Sequence, residues 1–98
     1  MAKLESKFQK ELMDEIRDLY PGCVILKNDS SYIQGFPDWT ILYKDKWAVL
    51  ETKKEKGAKK QPNQDGYVER LDYMSFSRFV QPENKDEVLE ELRVHFID

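Results

Sequence analysis

The stretch GFPDWTILYKDKWAVLETKK (residues 35–54) decides the fold of this 98-residue chain. Two runs of large apolar residues flank the short polar segment 44–46, which is the pattern of a β-hairpin. Apolar residues occupy both alternating sets of positions in each run, as they do when both faces of a sheet are covered. The hairpin is therefore predicted to form the centre of a layered α/β domain.

Patterns on either side of the hairpin complete the predicted fold. Apolar residues recur at helical spacing near the N-terminus, and proline with acidic residues opens a helix near the C-terminus. The predicted elements are helices over about residues 3–20, 64–74 and 82–92, and strands over 23–27, 37–43, 46–53 and 75–80. Residues 94–97 fit either a continued helix or an edge strand. The chain is thus predicted to be one three-layer α/β domain, residues 1–98, with a mixed four-stranded sheet and the order α-β-β-β-α-β-α.

Composition narrows the class of protein. Hydrophobic residues make up 40% and charged residues 36%, which is typical of a folded globular domain with a charged surface. No apolar run approaches the roughly 18 residues of a membrane helix, and the first residues are charged rather than signal-like. The lone cysteine, Cys23, fits a reducing compartment and argues against a zinc site built on thiolates. We therefore expect a cytoplasmic protein without a membrane partner.

Charge is distributed unevenly along the chain. The net charge is -3, yet residues 53–60 (KKEKGAKK) hold five lysines against one glutamate. Residues 83–98 hold six acids against Lys85 and Arg93. A polyanion responds to the local field, so the lysine-rich segment is predicted to bind phosphates or, alternatively, to be only a solvated loop.

Three charged residues stand at one end of the predicted hairpin. Glu51 and Lys53 share a face of their strand, about 6.6 Å apart, because side chains alternate along a strand. A two-residue turn at 44–45 places Asp38 opposite Glu51, and one at 45–46 places it opposite Lys53. Either register predicts that all three side chains share a face. A three-residue turn would instead pair Asp38 with Thr52 and send its carboxylate to the other face, unless a bulge intervened.

These three residues suggest a metal site. Two close carboxylates repel each other, and half-burial makes them costly unless a cation joins them. Ligation by oxygen alone favours Mg²⁺, or Mn²⁺ as a substitute, and leaves positions for water and a phosphate. Lys53 is placed to orient or deprotonate the attacking water. The alternative is an ordinary salt bridge at the end of a strand.

Pattern and placement together resemble the PD-(D/E)XK nuclease superfamily. Pro37-Asp38, a hydrophobic hairpin and Glu51-Thr52-Lys53 match its motif, with twelve residues between the acids. The chain is most similar to the small VRR-NUC-type and Holliday-junction-resolvase-like nucleases over about residues 5–80. Those proteins have a glycine just before the Pro-Asp pair, here Gly35. They also have a glutamate in the first helix and a glutamine that opens the second.

The resemblance implies a Mg²⁺-dependent DNA endonuclease, with branched or junction DNA as one expected substrate. Asp38 and Glu51 would hold the metal with the Thr52 carbonyl as a further ligand, and Lys53 would position the water. Cleavage would leave a 5′-phosphate and a 3′-hydroxyl. Small nucleases of this type often occur in phages and mobile elements, so the cytoplasm of a bacterial or phage-infected host cell is the expected location. Because one small domain covers little duplex, a homodimer is expected.

Other site residues are less firmly indicated. Glu5 falls inside the apolar stripe of the first helix, where a carboxylate is costly without a partner, and Glu15 lies nearer its edge. The resemblance favours Glu5 as a catalytic residue and metal ligand, with Gln9 as its support, although an acid also suits a first helical turn. The resemblance also implies that Gln64 lines the active site; the alternative is a bond to nearby backbone. Glu5 and Glu15 both remain open.

The expected DNA contacts come from two segments. Residues predicted to grip the backbone are Lys54, Lys56, Lys59 and Lys60, with Ser30 and Ser31 as further phosphate contacts. A rival interpretation is a non-catalytic DNA- or protein-binding module on the same fold, such as a phage or mobile-element accessory protein. The acidic C-terminal third favours that rival. A third interpretation is a salt-bridged α/β domain without special chemistry.

Overall fold

The computed structural model describes residues 2–29 and 31–97, and within them the side chains from Ser6 onward. It confirms a single α/β domain with the predicted element order. The helices are α1 (Ala2–Leu19), α2 (Gln64–Met74) and α3 (Lys85–Ile97), the last preceded by a 3-10 turn (Pro82–Asn84). The strands are β1 (Val24–Lys27), β2 (Trp39–Tyr43), β3 (Lys46–Thr52) and β4 (Ser77–Val80). No helix in the described part of the chain is long and apolar enough to span a bilayer.

The C-terminal residues continue the last helix. Val88, Leu92 and Phe96 follow one another at four-residue spacing, and all three are buried. The Phe96 ring packs at 5.1 Å from the ring of Tyr20 and 5.5 Å from that of Tyr43. Helical spacing places Phe96 in this aromatic cluster, and the edge-strand alternative for residues 94–97 is thus wrong.

The sheet has the strand order β1-β2-β3-β4. Its first three strands are antiparallel, and β3 and β4 are parallel, joined by the segment that contains α2. Tyr43 pairs with Lys46, so the hairpin turn has two residues, and Lys44 adopts a left-handed conformation with φ 56°. This is the first of the two even-numbered registers, the one that sets residue 38 against residue 51.

The main core lies between the sheet and the helices α1 and α3. Among its most deeply buried members are Leu12, Ile16, Ile41, Leu50 and Leu92, each at most 1% exposed. The second face of β3 carries Val49 and Glu51, because residues alternate along the strand. There α2 packs over β3 and β4.

The second face of the sheet is only half covered. Val24, Leu26 and Leu42 lie on it beside one another, and they are 49%, 47% and 39% exposed. The expectation of a sheet covered on both faces holds for β3 but is wrong for β1 and the outer part of β2. The reason is that the α2 crossover connects β3 to β4 and therefore lies over that half of the sheet.

Candidate functional site

An open pocket of about 610 Å³ lies at the end of the hairpin opposite the turn. It collects residues from four segments: the loop before β2, the end of β3, the lysine-rich segment and the start of α2. The predicted site residues among its lining are Ser31, Asp38, Glu51, Thr52, Lys53, Lys54, Lys59 and Gln64. Long-range pairing therefore brings most of the predicted site together.

The corner that carries Asp38 is held by Asn28, a residue that the sequence analysis did not single out. The Asn28 backbone N–H donates to the Asp38 carbonyl at 2.6 Å, and its side-chain amide donates to the Pro37 carbonyl at 2.9 Å. The same amide exchanges hydrogen bonds with the Thr40 hydroxyl. Asn28 follows β1 directly, and an asparagine just after a strand is the one available signal for such a clamp.

The Asp38 side chain points in a different direction from the one predicted. It lies in a bend before β2, so strict strand alternation does not govern its side chain. Its backbone N–H donates to Glu51 Oε1 at 3.1 Å, whereas its Oδ2 accepts a hydrogen bond from the Thr52 hydroxyl, also at 3.1 Å. Thr52 and Glu51 point to opposite faces of β3. The expectation that Asp38, Glu51 and Lys53 project from one face is therefore met only by the last two, although all three line the pocket.

Glu51, Lys53 and Gln64 form a closely bonded group. Gln64 Nε2 donates to Glu51 Oε2 at 2.7 Å, and Lys53 Nζ donates to Gln64 Oε1 at 2.7 Å. The Lys53 Nζ also lies 3.6 Å from Glu51 Oε2. Gln64 Oε1 accepts the Gln61 backbone N–H at 2.9 Å, so the glutamine makes the helix-start bond as well as the site contacts.

Glu51 is buried, with only 4% of the residue exposed. Burial first, and the charge of Asp38 second, raise its pKa from 4.5 to about 7, against the opposing effects of Lys53 and the Asp38 N–H. A carboxylate in this position is costly to ionise without an additional cation.

The raised pKa predicts how stability depends on pH. Between pH 4.5 and about 7 the folded state binds more protons at Glu51 than the unfolded state, so the free energy of unfolding falls as the pH rises. Glu51→Gln removes the ionisable group, so the free energy of unfolding of this variant should not fall with pH for this reason. We expect the variant to be about 1–3 kcal/mol more stable than the wild type at pH 8 and close to it at pH 4.5.

Urea unfolding in EDTA at pH 4.5, 6 and 8 measures this difference. Glu69→Gln, which neutralises an exposed acid of α2, serves as the control and should show no such growth with pH. A stability difference between Glu51→Gln and the wild type that stays constant over the three pH values would contradict the raised pKa.

The lysine-rich segment divides into two groups. Lys54 and Lys59 line the pocket. Lys60 instead pairs with Asp65 at 2.9 Å and lies 4.4 Å from the centre of the Phe79 ring. Lys56 is outside the pocket lining, and its backbone N–H donates to Glu83 at 3.1 Å. The structure thus does not gather all four lysines at the site.

The remaining predicted residues have mixed outcomes. Ser30 and the side chain of Glu5 lie outside the described residues. Ser31 lines the pocket, and its hydroxyl donates to Asp29. Glu15 forms an ion pair with Lys85 of α3 at 3.0 Å and is not part of the pocket, so it does not complete the site.

The acids of the pocket fit a hard divalent cation. Among the side chains described, no group of three or more histidine, cysteine, aspartate or glutamate residues is close enough to hold a metal. Asp38 and Glu51 are the two acids that line the pocket. Mg²⁺ commonly uses only one or two protein carboxylates and keeps several water molecules, so these two acids are the residues that could hold one.

Comparisons of the chain with known protein families, with curated proteins and with solved structures gave no significant match.

Proposed function

We propose that the protein is a metal-dependent DNA endonuclease. The observation that carries the proposal is the buried carboxylate Glu51, whose pKa is raised to about 7, at the bottom of an open pocket that also holds Asp38 and Lys53. Two neighbouring acids, a lysine beside them and open access for a large substrate suit metal-assisted phosphodiester hydrolysis. The resemblance to PD-(D/E)XK nucleases supports the same reaction.

In this proposal Asp38 and Glu51 hold Mg²⁺ or Mn²⁺, with the Thr52 carbonyl as a further ligand. When bound, such an ion polarises a phosphate oxygen and lowers the pKa of a coordinated water. The side chain of Glu51 has to lose its carboxyl proton before it can bind a cation. Metal binding should therefore release protons below about pH 7.

Lys53 has the proposed role of holding the attacking water and compensating negative charge at the phosphate. Its Nζ is fixed by Gln64 Oε1 at 2.7 Å and by the Lys59 carbonyl at 3.4 Å. Its third contact, Glu51 Oε2 at 3.6 Å, is longer than a hydrogen bond, so one of the three ammonium protons can go to a water or a phosphate oxygen. Gln64 thereby positions the lysine and the glutamate relative to each other.

The substrate class follows from the pocket rim. Lys54 and Lys59 present two positive charges beside the acids, which suits a phosphate backbone on both sides of the cleaved bond. Branched or junction DNA remains the expected preferred form, as the resemblance implies.

A metal titration tests the proposal. We expect Mg²⁺ or Mn²⁺ to raise the melting temperature of the wild type by several degrees at ten times the dissociation constant, about 1.4 kcal/mol of stabilisation. Asp38→Ala should abolish this shift. Asp45→Ala, which removes an exposed acid from the turn at the far end of the hairpin, should preserve it.

Cleavage is measured in parallel on junction, flap, nicked, single-stranded and linear DNA with either metal. No metal shift and no cleavage of any substrate would contradict the nuclease proposal. That outcome would favour the rival, a binding module, for which the exposed acids of α3 are a suitable protein-contact surface: Asp86, Glu87 and Glu90.

We also propose that the protein forms a homodimer through β1. Val24 and Leu26 of this strand and Leu42 of β2 are exposed apolar residues, and β1 has a neighbour on one side only in the described sheet. Two identical edge strands can pair in antiparallel fashion about a twofold axis, so one surface serves both copies.

Light scattering at micromolar concentration should give the mass of two chains. Leu26→Lys should give one chain with an unchanged circular dichroism spectrum. Leu19→Lys, at a similarly exposed position on α1, should remain dimeric. A monomeric wild type, with and without DNA, would contradict the dimer.

A further inference from the structure

The side chain of Thr52 connects helix α1 to the candidate site. Thr52 is 1% exposed. Its hydroxyl accepts a hydrogen bond from Gln9 Nε2 at 2.7 Å and donates one to Asp38 Oδ2 at 3.1 Å. Gln9 is 43 positions away in the chain, so the contact depends on the packing of α1 against the sheet.

The direction of these hydrogen bonds is fixed by chemistry. An ionised carboxylate only accepts hydrogen bonds, and a hydroxyl has a single proton. The Thr52 proton must therefore point at Asp38, and the partner on the other side of the hydroxyl must be a donor. The amide nitrogen of Gln9 is that donor.

The second contact of the Asp38 carboxylate is a partly exposed ion pair. Lys27 Nζ lies 3.9 Å from Asp38 Oδ1, and half of the Lys27 side chain is exposed. Exposed ion pairs at this distance contribute little and rearrange easily. The buried hydroxyl thus holds one carboxylate oxygen, while the other faces a cation that a bound metal can replace.

We propose that Thr52 and Gln9 are positioning residues that set the orientation of the Asp38 carboxylate for metal binding. The inference rests on the proposed function, and it assigns to Thr52 a side-chain role beyond that of its carbonyl. Partners of this kind orient ligands before the ion arrives, and their loss typically lowers metal affinity or activity about 10- to 100-fold. Helix α1 would then contribute to the site through an amide and a hydroxyl.

The test compares Thr52→Val, which has the same shape without the hydroxyl, with Thr52→Ser, which keeps it. We expect Thr52→Val to raise the Mn²⁺ concentration at the midpoint of the thermal shift about 10- to 100-fold. In Thr52→Ser this midpoint concentration should stay within about threefold of the wild-type value, because serine keeps the hydroxyl group that donates to Asp38. Gln9→Met should shift the midpoint in the same direction as Thr52→Val, by a smaller factor.

Ser77→Ala is the matched control. Ser77 is equally buried, on β4, and its hydroxyl has no hydrogen-bond partner among the described residues. Its removal should leave the Mn²⁺ midpoint unchanged. A wild-type midpoint in Thr52→Val, or equal shifts in Thr52→Val and Ser77→Ala, would overturn the positioning role while leaving the nuclease proposal intact.

A second measurement needs no metal. Thr52→Val and Asp38→Ala are combined in a double-mutant cycle of melting temperatures in EDTA. We expect the loss caused by Thr52→Val to be clearly smaller in the Asp38→Ala background, because the acceptor of the Thr52 hydroxyl proton is then absent. Additive losses would overturn the inference. If the wild type neither binds metal nor cleaves DNA, the proposed function fails, and this cycle still decides whether Thr52 orients Asp38.

Discussion

Lys53→Met is expected to lower the rate of Mg²⁺-dependent DNA cleavage by about 10²- to 10⁴-fold, the range over which a positioned proton-transfer group acts. Methionine keeps most of the apolar stem but removes the ammonium group, which lies 2.7 Å from Gln64 Oε1 and 3.6 Å from Glu51 Oε2. The fold should persist, because the lost ammonium group contacts Gln64 and Glu51 at the pocket and not the apolar side chains of the main core. Single-turnover cleavage with saturating metal measures the effect.

Lys44→Met is the matched control for this experiment. Lys44 is an exposed lysine of the same hairpin, at the turn furthest from the pocket. Its replacement should leave the single-turnover rate within a factor of two or so of the wild type. A Lys53→Met variant that cleaves as fast as Lys44→Met would remove Lys53 from the proposed chemistry.

Gly35→Ala is expected to have the largest effect on stability, a loss of about 2–5 kcal/mol. Gly35 has φ +86°, where a side chain costs about 1–2 kcal/mol. In addition, a Cβ at this position would meet the Pro62 carbonyl oxygen at 2.5 Å and the Asn63 Cβ at 2.8 Å. The backbone before α2 would have to move. Urea unfolding gives the loss directly.

Gly57→Ala separates the two contributions to this loss. Gly57 has nearly the same conformation, φ +81°, but a Cβ there would meet nothing within 4 Å. Its replacement should cost only the conformational part, about 1–2 kcal/mol. Equal losses in the two variants would show that the close approach of residue 35 to the start of α2 does not contribute to stability. Because Asn63 directly precedes Gln64, we expect Gly35→Ala to reduce cleavage as well.

The fold was predictable because the sequence contains two clear local patterns, one typical of helices and one typical of a hairpin. Apolar spacing of about 3.6 residues identified the helices, and the short polar segment 44–46 identified the hairpin. Strand geometry left three alternatives for the turn, and the structure has the two-residue turn at 44–45, which sets residue 38 against residue 51. Residues 94–97 were ambiguous because a short apolar run suits both a strand and the end of a helix. Their burial against Tyr20 decides for the helix.

The details of the site depended on contacts that local patterns do not contain. The direction of the Asp38 carboxylate is set by Asn28 and Thr52, which lie ten positions before it and fourteen after it. The five lysines of residues 53–60 look alike in sequence, yet Lys60 is engaged by Asp65 and Phe79. Glu15 was a reasonable alternative on helical spacing alone. Its partner Lys85 is 70 positions away and could not be anticipated.

The two-residue turn of the hairpin restricts how this chain can change length. The turn lies at the far end of the strands from the pocket, roughly 17 Å away at 3.3 Å per residue over five residue pairs. One inserted residue there would slip the pairing by one position and exchange inward and outward side chains along a strand. The hairpin can therefore grow or shrink without disturbing the acids only by matched additions or deletions in both strands. The length of this distant turn is thus constrained by the pairing of the two strands that carry Asp38 and Glu51 to the pocket.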